Sequence, residues 1–400
     1  MHRRRYLRAV GLAGLTGLAG CNSVPFTGGG GPERGQYGTE RPVAGLATDA
    51  TTAYVALRPQ AGQTRLAGVG LADAERQWVR ELAASGDAFR MWRRGDRLLA
   101  LNGRTLIVTE AGFSTQTWRR SGATEPIVVD TTAYLRTVRA GRTYVEALGL
   151  ATGEAAWSIE LETRGPIPAT QAPRAAAGDR LFLTDVDAPI RARSRADGSR
   201  LWQTTESFGV PIAASDRAAF AVRPTDGGAE LHRVALGDGR TALLDQTGAM
   251  ELRPTVLGGV LLVIEGHDGR TDLVGRAGDS GVEQWRRRNV TVAPSWLGPD
   301  ASFIVDADGE LVELATDLGV ERWTRPLPDL DAIQLAWSDS VVALATPGRL
   351  RCFSRDDGSK IWARSVPEAA PDSPTQILGA TGEVVVHAVN DTVRIFDAAR

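Results

Sequence analysis

The sequence predicts an all-β chain, a β-propeller of four-stranded antiparallel blades, on three observations. Trp recurs in one register along most of the chain. A Gly stands four residues before most of those Trp. The segments between them read as short β-hairpins. Trp78, Trp118, Trp157, Trp202, Trp285, Trp323 and Trp362 fall at intervals of 38 to 45 residues once Leu243 is admitted to the slot after Trp202. Gly153, Gly198, Gly239, Gly281, Gly319 and Gly358 precede their Trp or Leu by four positions, and Ala74 and Ser114 take that place in the first two units. A period near 40 residues fits either helical repeats or four-stranded blades.

The intervening segments decide for strands. "DRLLALNGRTLIV" (96–108), "DASFIVDADGELVEL" (300–314) and "GEVVVHAVNDTVRIF" (382–396) each hold two β-rich runs around a Gly, Asp or Asn turn. Such runs, about five residues long, are hairpins by length and by turn chemistry. No stretch of comparable length keeps a 3.6-residue apolar period. Each unit therefore reads as a weakly patterned strand A, a B–C hairpin, a turn, and a strand D carrying the Trp. The Gly of the C–D turn supplies a positive φ at little steric cost. The Trp are predicted to be packing anchors between blades, since an aromatic on an outer strand buries a large apolar surface.

Blade number is read two ways. Eight strand-D motifs favour eight blades. A ninth hairpin at 381–397 follows Trp362 without a strand D of its own, and an N-terminal segment that completed its sheet would make nine. Pairing of the two ends is expected, because a bare sheet edge invites aggregation.

The ends have separate grammar. Residues 1–20 combine Arg3, Arg4, Arg5 and Arg8 with an apolar run from Ala9 to Ala19, too short to span a membrane stably. Arg3–Arg4–x–Tyr6–Leu7 resembles a twin-arginine export signal, and Leu18–Ala19–Gly20–Cys21 resembles the lipobox of prokaryotic lipoproteins, with Cys21 as the lipidated residue. Residues 21–42, with four consecutive Gly, read as a lipidated Cys and a flexible tether. The propeller is assigned to 43–400. The expected location is extracytoplasmic, with the lipid on Cys21 holding the chain to a prokaryotic membrane.

Composition narrows the partners. The chain carries 46 basic and 48 acidic residues, with Lys360 the only lysine, and loss of residues 1–20 removes four Arg and no acid. A near-neutral to mildly acidic surface with scattered Arg lacks the concentrated positive field that nucleic acid demands. Nucleic acid is excluded on that ground. The arginine excess reads as a coding bias. Cys352, in a strand-like run, reads as a small buried apolar residue.

Chemical motifs are sparse. "GDSG" (278–281) has the letters of a serine-protease loop, but Gly281 is the repeat Gly, so a C–D turn is expected. "DADGE" (306–310) starts like a calcium loop yet lies where a hairpin turn is required. His232, His267 and His387 show no zinc-binding spacing. No metal site and no catalytic residue is assigned.

"LGLATGEAAW" (148–157), "RSRADGSRLW" (193–202) and "FSRDDGSKIW" (353–362) resemble the tryptophan-docking repeats of pyrroloquinoline-quinone-like (PQQ-like) β-propellers. The resemblance implies the propeller over nearly all of 43–400, in a family that includes enzymes, scaffolds and sensor domains. A relative in it is a bacterial outer-membrane lipoprotein that helps assemble β-barrels. The PQQ-dependent alcohol and sugar dehydrogenases of this family hold quinone and calcium beside an Asp base, and many have an adjacent Cys pair. Here the two cysteines are Cys21 and Cys352, no long insertion interrupts the repeats, and no catalytic residue of the family maps onto a position. The expectation is a lipid-anchored binding or scaffold protein with a protein partner and no cofactor. A quinoprotein dehydrogenase and an extracytoplasmic ligand-sensing domain are the alternatives.

The anchor is directly testable. One acyl chain holds a protein to a bilayer only marginally, whereas two hold it firmly. The wild-type chain is therefore expected in the detergent phase of a Triton X-114 partition, and Cys21→Ser in the aqueous phase or unprocessed. Equal partitioning of the two would remove Cys21 from the lipid assignment.

Overall fold

The computed structural model describes residues 33–60, 63–83, 89–111, 116–161, 172–184, 187–209, 212–327, 333–369 and 376–398. These form nine antiparallel sheets, eight of four strands and one of three. The segments that follow one another along the chain pair as neighbours, as expected for propeller blades. The fold class read from the repeat holds, with nine sheets rather than the favoured eight.

The chain divides into two compact units. The first comprises the described residues between 33 and 93 and between 333 and 398. It contains the sheet of residues 43–83, the sheet of 334–365, and a sheet made from both ends of the chain. In the last of these, strand Glu33–Gly38 pairs antiparallel with Thr392–Asp397, Tyr37 opposite Val393 and Gln36 opposite Arg394. This N-terminal strand is the missing strand D of the ninth hairpin, and it explains why nine hairpins come with eight Trp or Leu motifs. It also lies inside the segment 21–42 read as a tether. Nothing in "ERGQYG" alternates apolar with polar, so the segment has no strand signature of its own.

The second unit comprises the described residues between 94 and 111 and between 116 and 327. Its four-stranded sheets include those of 127–160, 172–208, 212–247 and 251–287, and its three-stranded sheet is built from Ala301–Val305, Glu310–Ala315 and Glu321–Pro326. Where the first strand of that last sheet would run, a 3₁₀ turn at Pro294–Trp296 stands between two isolated bridges, Thr291 to Val305 and Leu297 to Ser302. Pro294 lacks the amide that a ladder needs, and this limits the edge to single bridges.

Within each unit the sheets pack face to face through aliphatic clusters. Val55, Leu57 and Val69 meet Val386, Val393 and Ile395 in the first unit. Phe182, Ile190 and Ala192 meet Ile212, Ala219 and Val234 in the second. The third residue of strand B is aromatic in several sheets. Tyr54, Tyr134, Phe182 and Phe303 lie beside Trp78, Trp157, Trp202 and Trp323 of their own sheets, with ring centroids 5.9 to 6.2 Å apart.

All eight repeat positions, Trp78, Trp118, Trp157, Trp202, Leu243, Trp285, Trp323 and Trp362, lie on the fourth strand of their sheets or its three-stranded equivalent. Trp118, Trp157, Trp202, Trp323 and Trp362 are at most 9% exposed. Four of the repeat Trp direct their indole N–H groups to a common target. Trp118 donates to the Leu150 carbonyl at 2.8 Å, Trp157 to Arg195 at 2.9 Å, Trp202 to Leu236 at 2.6 Å and Trp285 to Thr316 at 3.2 Å. Each acceptor is three residues before the repeat Gly of the following sheet. The ring then lies on that Gly. A Cβ built on Gly153 would come within 2.5 Å of Trp118, on Gly239 within 2.5 Å of Trp202, and on Gly319 within 2.4 Å of Trp285. The Gly is thus needed for its positive φ and also as the surface on which the preceding Trp seats.

Two slots depart from the pattern in an instructive way. Leu243 has the Trp register, paired with His232, but it is 53% exposed and is not an anchor. Leu244 and Phe220 reach Gly281 instead, a Gly281 Cβ falling 2.2 Å from Leu244 and 3.2 Å from Phe220. A Leu has no N–H to give, and the waiting Gly278 carbonyl accepts the Ser215 hydroxyl at 2.6 Å. At the start of the chain, Ala74 replaces Gly at φ +58°. There the preceding sheet contributes no Trp: Arg34 donates to the Leu71 carbonyl at 3.3 Å and Gly35 faces Ala74. Glycine opposite alanine leaves the room that Trp opposite glycine uses.

Gly239→Ala tests this seat. Left-handed backbone costs an L-residue about 1–2 kcal/mol, and overpacking a seated ring adds about 1–3 kcal/mol. A loss of about 2–5 kcal/mol is expected in urea unfolding, against no loss for Gly237→Ala, whose Cβ would meet nothing within 4 Å. Equal midpoints for the two variants would rule out Gly239 as a docking surface.

Candidate interaction surface

Among the described residues, the second unit carries a cleft built from turns and another lined largely by strand residues. One, of about 640 Å³, gathers Ser215–Arg217, Gly259, Val260, Ala277–Asp279, Gln284, Asp317 and Leu318. It is formed by the A–B turns of the 212–247 and 251–287 sheets and by the C–D turns of the 251–287 and 301–326 sheets. The turns are held in place by backbone. Gly278 N–H donates to the Gly259 carbonyl at 3.0 Å, Ser215 caps the Gly278 carbonyl, and the Arg233 guanidinium donates to the Asp279 carbonyl at 2.9 Å. Arg287 fixes the neighbouring turn through the Gly319 carbonyl at 2.8 Å. Arg217 and Asp279 form an exposed pair at 3.3 Å. Asp216 and Asp317 are exposed, and no ion pair is formed by either among the described residues. Leu318 is 63% exposed, and Val282 and Val320, on the same two C–D turns, are 64% and 52% exposed.

The other cleft, of about 530 Å³, is lined by Arg286–Arg288 and Glu283 on one side and by Asp306–Asp308 and Glu321 on the other, over Val290, Ile304 and Val312. Arg287 pairs with Glu321 at 2.7 Å across it. An ionic cluster runs from its wall to the buried Glu265 and Asp272. Arg286 bonds Glu265 at 2.6 Å, Glu283 at 2.8 Å and Asp272 at 3.4 Å, while Arg276 pairs with Asp245 and Glu283. Hydrogen bonds from Arg286 hold the Glu283 carboxyl below the usual carboxylate range.

Glu265, His267 and Asp272 place one ligand atom each within 4.8 Å of one another, so these three could hold a metal ion. The Arg286 guanidinium already lies between Glu265 and Asp272, which is where the cation would sit. The group reads as an ion-pair cluster, and a metal would have to displace an arginine. Sequence reasoning missed this meeting of side chains. The available signal was Glu265 and His267 two apart on one strand face, with Asp272 opposite Glu265 across the Asp268–Gly269 turn.

The other motifs fall into structural roles. Ser280 of "GDSG" lies in a C–D turn, with the Val282 N–H directed to its hydroxyl at 3.5 Å. Asp306 of "DADGE" accepts the N–H groups of Asp308 and Glu310 at 3.0 and 2.9 Å, closing the expected hairpin turn. Cys352 is fully buried, and burial pushes its thiol up to about 12. His232 bonds Glu230 at 2.9 Å beside Arg223. That bond is the main reason the Glu230 carboxyl is held below its usual range. The structure keeps His232, His267 and His387 on three different strands. Cys21 and the rest of residues 1–32 lie outside the described residues.

Comparison with known proteins adds a family match over part of the chain. Residues 62–209 match the family model described as outer membrane protein assembly factor BamB. The PQQ-like repeat reading stands on that match for those residues. No curated protein matches the chain. Among solved structures, the eukaryotic initiation factor is similar at TM-score 0.52 and 11% identity, over 76% of this chain and 83% of that one. BamB from Moraxella catarrhalis aligns at TM-score 0.48 and 16% identity, over 77% and 95% of the two chains. A europium-containing methanol dehydrogenase aligns at 0.46 and 10%, over 74% and 80%. At these identities the likeness concerns the fold alone.

His387 gives a pH prediction. It is fully buried on the strand opposite Arg394, and burial, with a smaller contribution from Arg394, lowers its pKa to about 4. The unfolded imidazole titrates near 6.5, so between these values the unfolded chain binds the extra proton. Stability contributed by neutral His387 is full above pH 6.5 and falls as pH drops toward 4, by up to about 3 kcal/mol. His387→Leu should flatten the pH 6.5–4 slope relative to wild type. Parallel slopes for the two proteins would refute the assignment.

Proposed function

We propose that this chain is an exported, lipid-anchored protein of a prokaryotic cell envelope that binds a protein partner and catalyses no reaction. The observation that carries the binding role is the exposed aliphatic group of Val282, Leu318 and Val320 on two successive C–D turns, beside the 640 Å³ cleft. Turns fixed on a rigid frame are common recognition sites, and solvent-exposed aliphatics grouped at a cleft mark interaction surfaces. The match of residues 62–209 to a family described as an assembly factor supports the same role. Export and anchoring rest on the twin-arginine-like and lipobox-like residues before Cys21.

The ionic chemistry agrees with a structural use of charge. The carboxylates of Glu265, Asp272 and Glu283 are engaged by arginines of the same sheet, which leaves them poorly placed as bases. Quinone catalysis needs a positioned base and an electrophile around the cofactor. Supplied with PQQ, calcium and a panel of alcohols and aldose sugars, the purified protein is expected to reduce an artificial electron acceptor no faster than a protein-free control. Turnover well above that control, lost on removing calcium, would replace the binding reading with a dehydrogenase.

A further inference from the structure

Resting on that binding role, we infer that the 640 Å³ cleft between the turns at 215–217, 277–284 and 317–318 receives an extended segment of a partner protein in which Arg or Lys residues flank a large aliphatic side chain. Two kinds of group converge there. Asp216, Asp279 and Asp317 line the cleft against a single lining cation, Arg217. Arg217 is taken by Asp279, and Arg233 is turned onto a backbone carbonyl, so Asp216 and Asp317 present carboxylates to solvent. Leu318 lines the same cleft with Val260 and Ala277 and is 63% exposed, so it offers an apolar surface beside the carboxylates. Basic side chains that pair with Asp216 and Asp317, with an aliphatic one that covers Leu318, satisfy this arrangement. An acidic segment would meet like charge, and rim charges govern which partners are rejected as well as which are steered in.

The place in the fold supports an occupant. This is the slot where the repeat lacks its Trp: Leu243 is exposed, and the Gly278 carbonyl that would accept an indole N–H is capped by Ser215. The Gly278 and Asp279 backbone is pinned from three sides, by Gly259, Ser215 and Arg233. A cleft with fixed walls avoids ordering its own loops on binding, which is a main cost of association.

The test uses the purified full chain in detergent and three fluorescent decapeptides. One alternates Arg with Leu, one has Glu for Arg, and one has Ser for Leu. Anisotropy is expected to show the Arg–Leu peptide bound at least tenfold tighter than either of the others. Asp216→Asn with Asp317→Asn, and separately Leu318→Ser, should each weaken it at least fivefold, while Asp308→Asn in the other cleft leaves it unchanged. All four residues are exposed turn positions, so the variants are expected to fold, and a common thermal midpoint checks this. No binding of the Arg–Leu peptide, equal binding of the Glu–Leu peptide, or affinity unmoved by the cleft variants would overturn the inference. A photo-cross-linking residue placed in cells at 318 or at 308 separates this failure from that of the binding role. An adduct from 308 alone overturns the cleft and leaves a partner elsewhere, and no adduct from either overturns the cleft while the turnover assay decides the role.

Discussion

An indole N–H seated on a carbonyl of the next sheet, with its ring against a glycine α-carbon, is the interaction on which the rest of this architecture depends. A single four-stranded sheet cannot bury either face by itself, so each must be registered against its neighbour. The Trp does this with one side chain. Its ring removes a large apolar surface from water, and its N–H satisfies a turn carbonyl that would otherwise be buried unpaired at about 1–3 kcal/mol. The exceptions show that the carbonyl, and not the Trp as such, is the fixed requirement. Where Trp is missing, Ser215 or Arg34 arrives from another direction to donate to the equivalent oxygen.

This constraint is what made the fold legible. Trp and Gly are rare enough in combination that their register survives in a sequence whose strands are otherwise unremarkable, and hairpin turns such as Asn102–Gly103 and Asp268–Gly269 announce the B–C pairs. What stayed hidden has physical reasons. The strand at Glu33–Gly38 pairs with residues more than 350 positions away, and it lacks alternation because one edge strand with alternating exposure needs little apolar content. Glycine's second role was invisible because the ring that needs it belongs to the preceding unit. Leu243 kept the spacing without the reach. The candidate cleft was the least legible feature: Asp216, Asp317 and Leu318 are ordinary turn residues, and only their convergence from two sheets distinguishes them.

The scarcity of lysine acquires a structural meaning as well. Glu146, fully buried, is bracketed by Arg120 at 3.1 Å and Arg139 at 2.9 Å and accepts the Thr137 hydroxyl at 2.9 Å. Arg286 spans three carboxylates with one planar group. A forked, always-charged guanidinium can serve several acceptors in a fixed plane, which an ammonium on a flexible stem cannot do. Whatever biased the codons toward arginine, the interior makes use of the geometry.

The joining of Glu33–Gly38 to Thr392–Asp397 has a temporal consequence. During synthesis the first strand emerges long before its partner exists, and it must wait, unpaired, while the intervening sheets assemble. The loop it eventually closes is nearly the whole chain, and although closure entropy grows only slowly with loop length, contacts so distant in sequence are slow to form. Until the final hairpin is complete, its outer edge stays bare, and a bare edge will accept a strand from any neighbour. The seam between first and last strands is thus the step at which an assembling molecule is most open to pairing with another copy of itself.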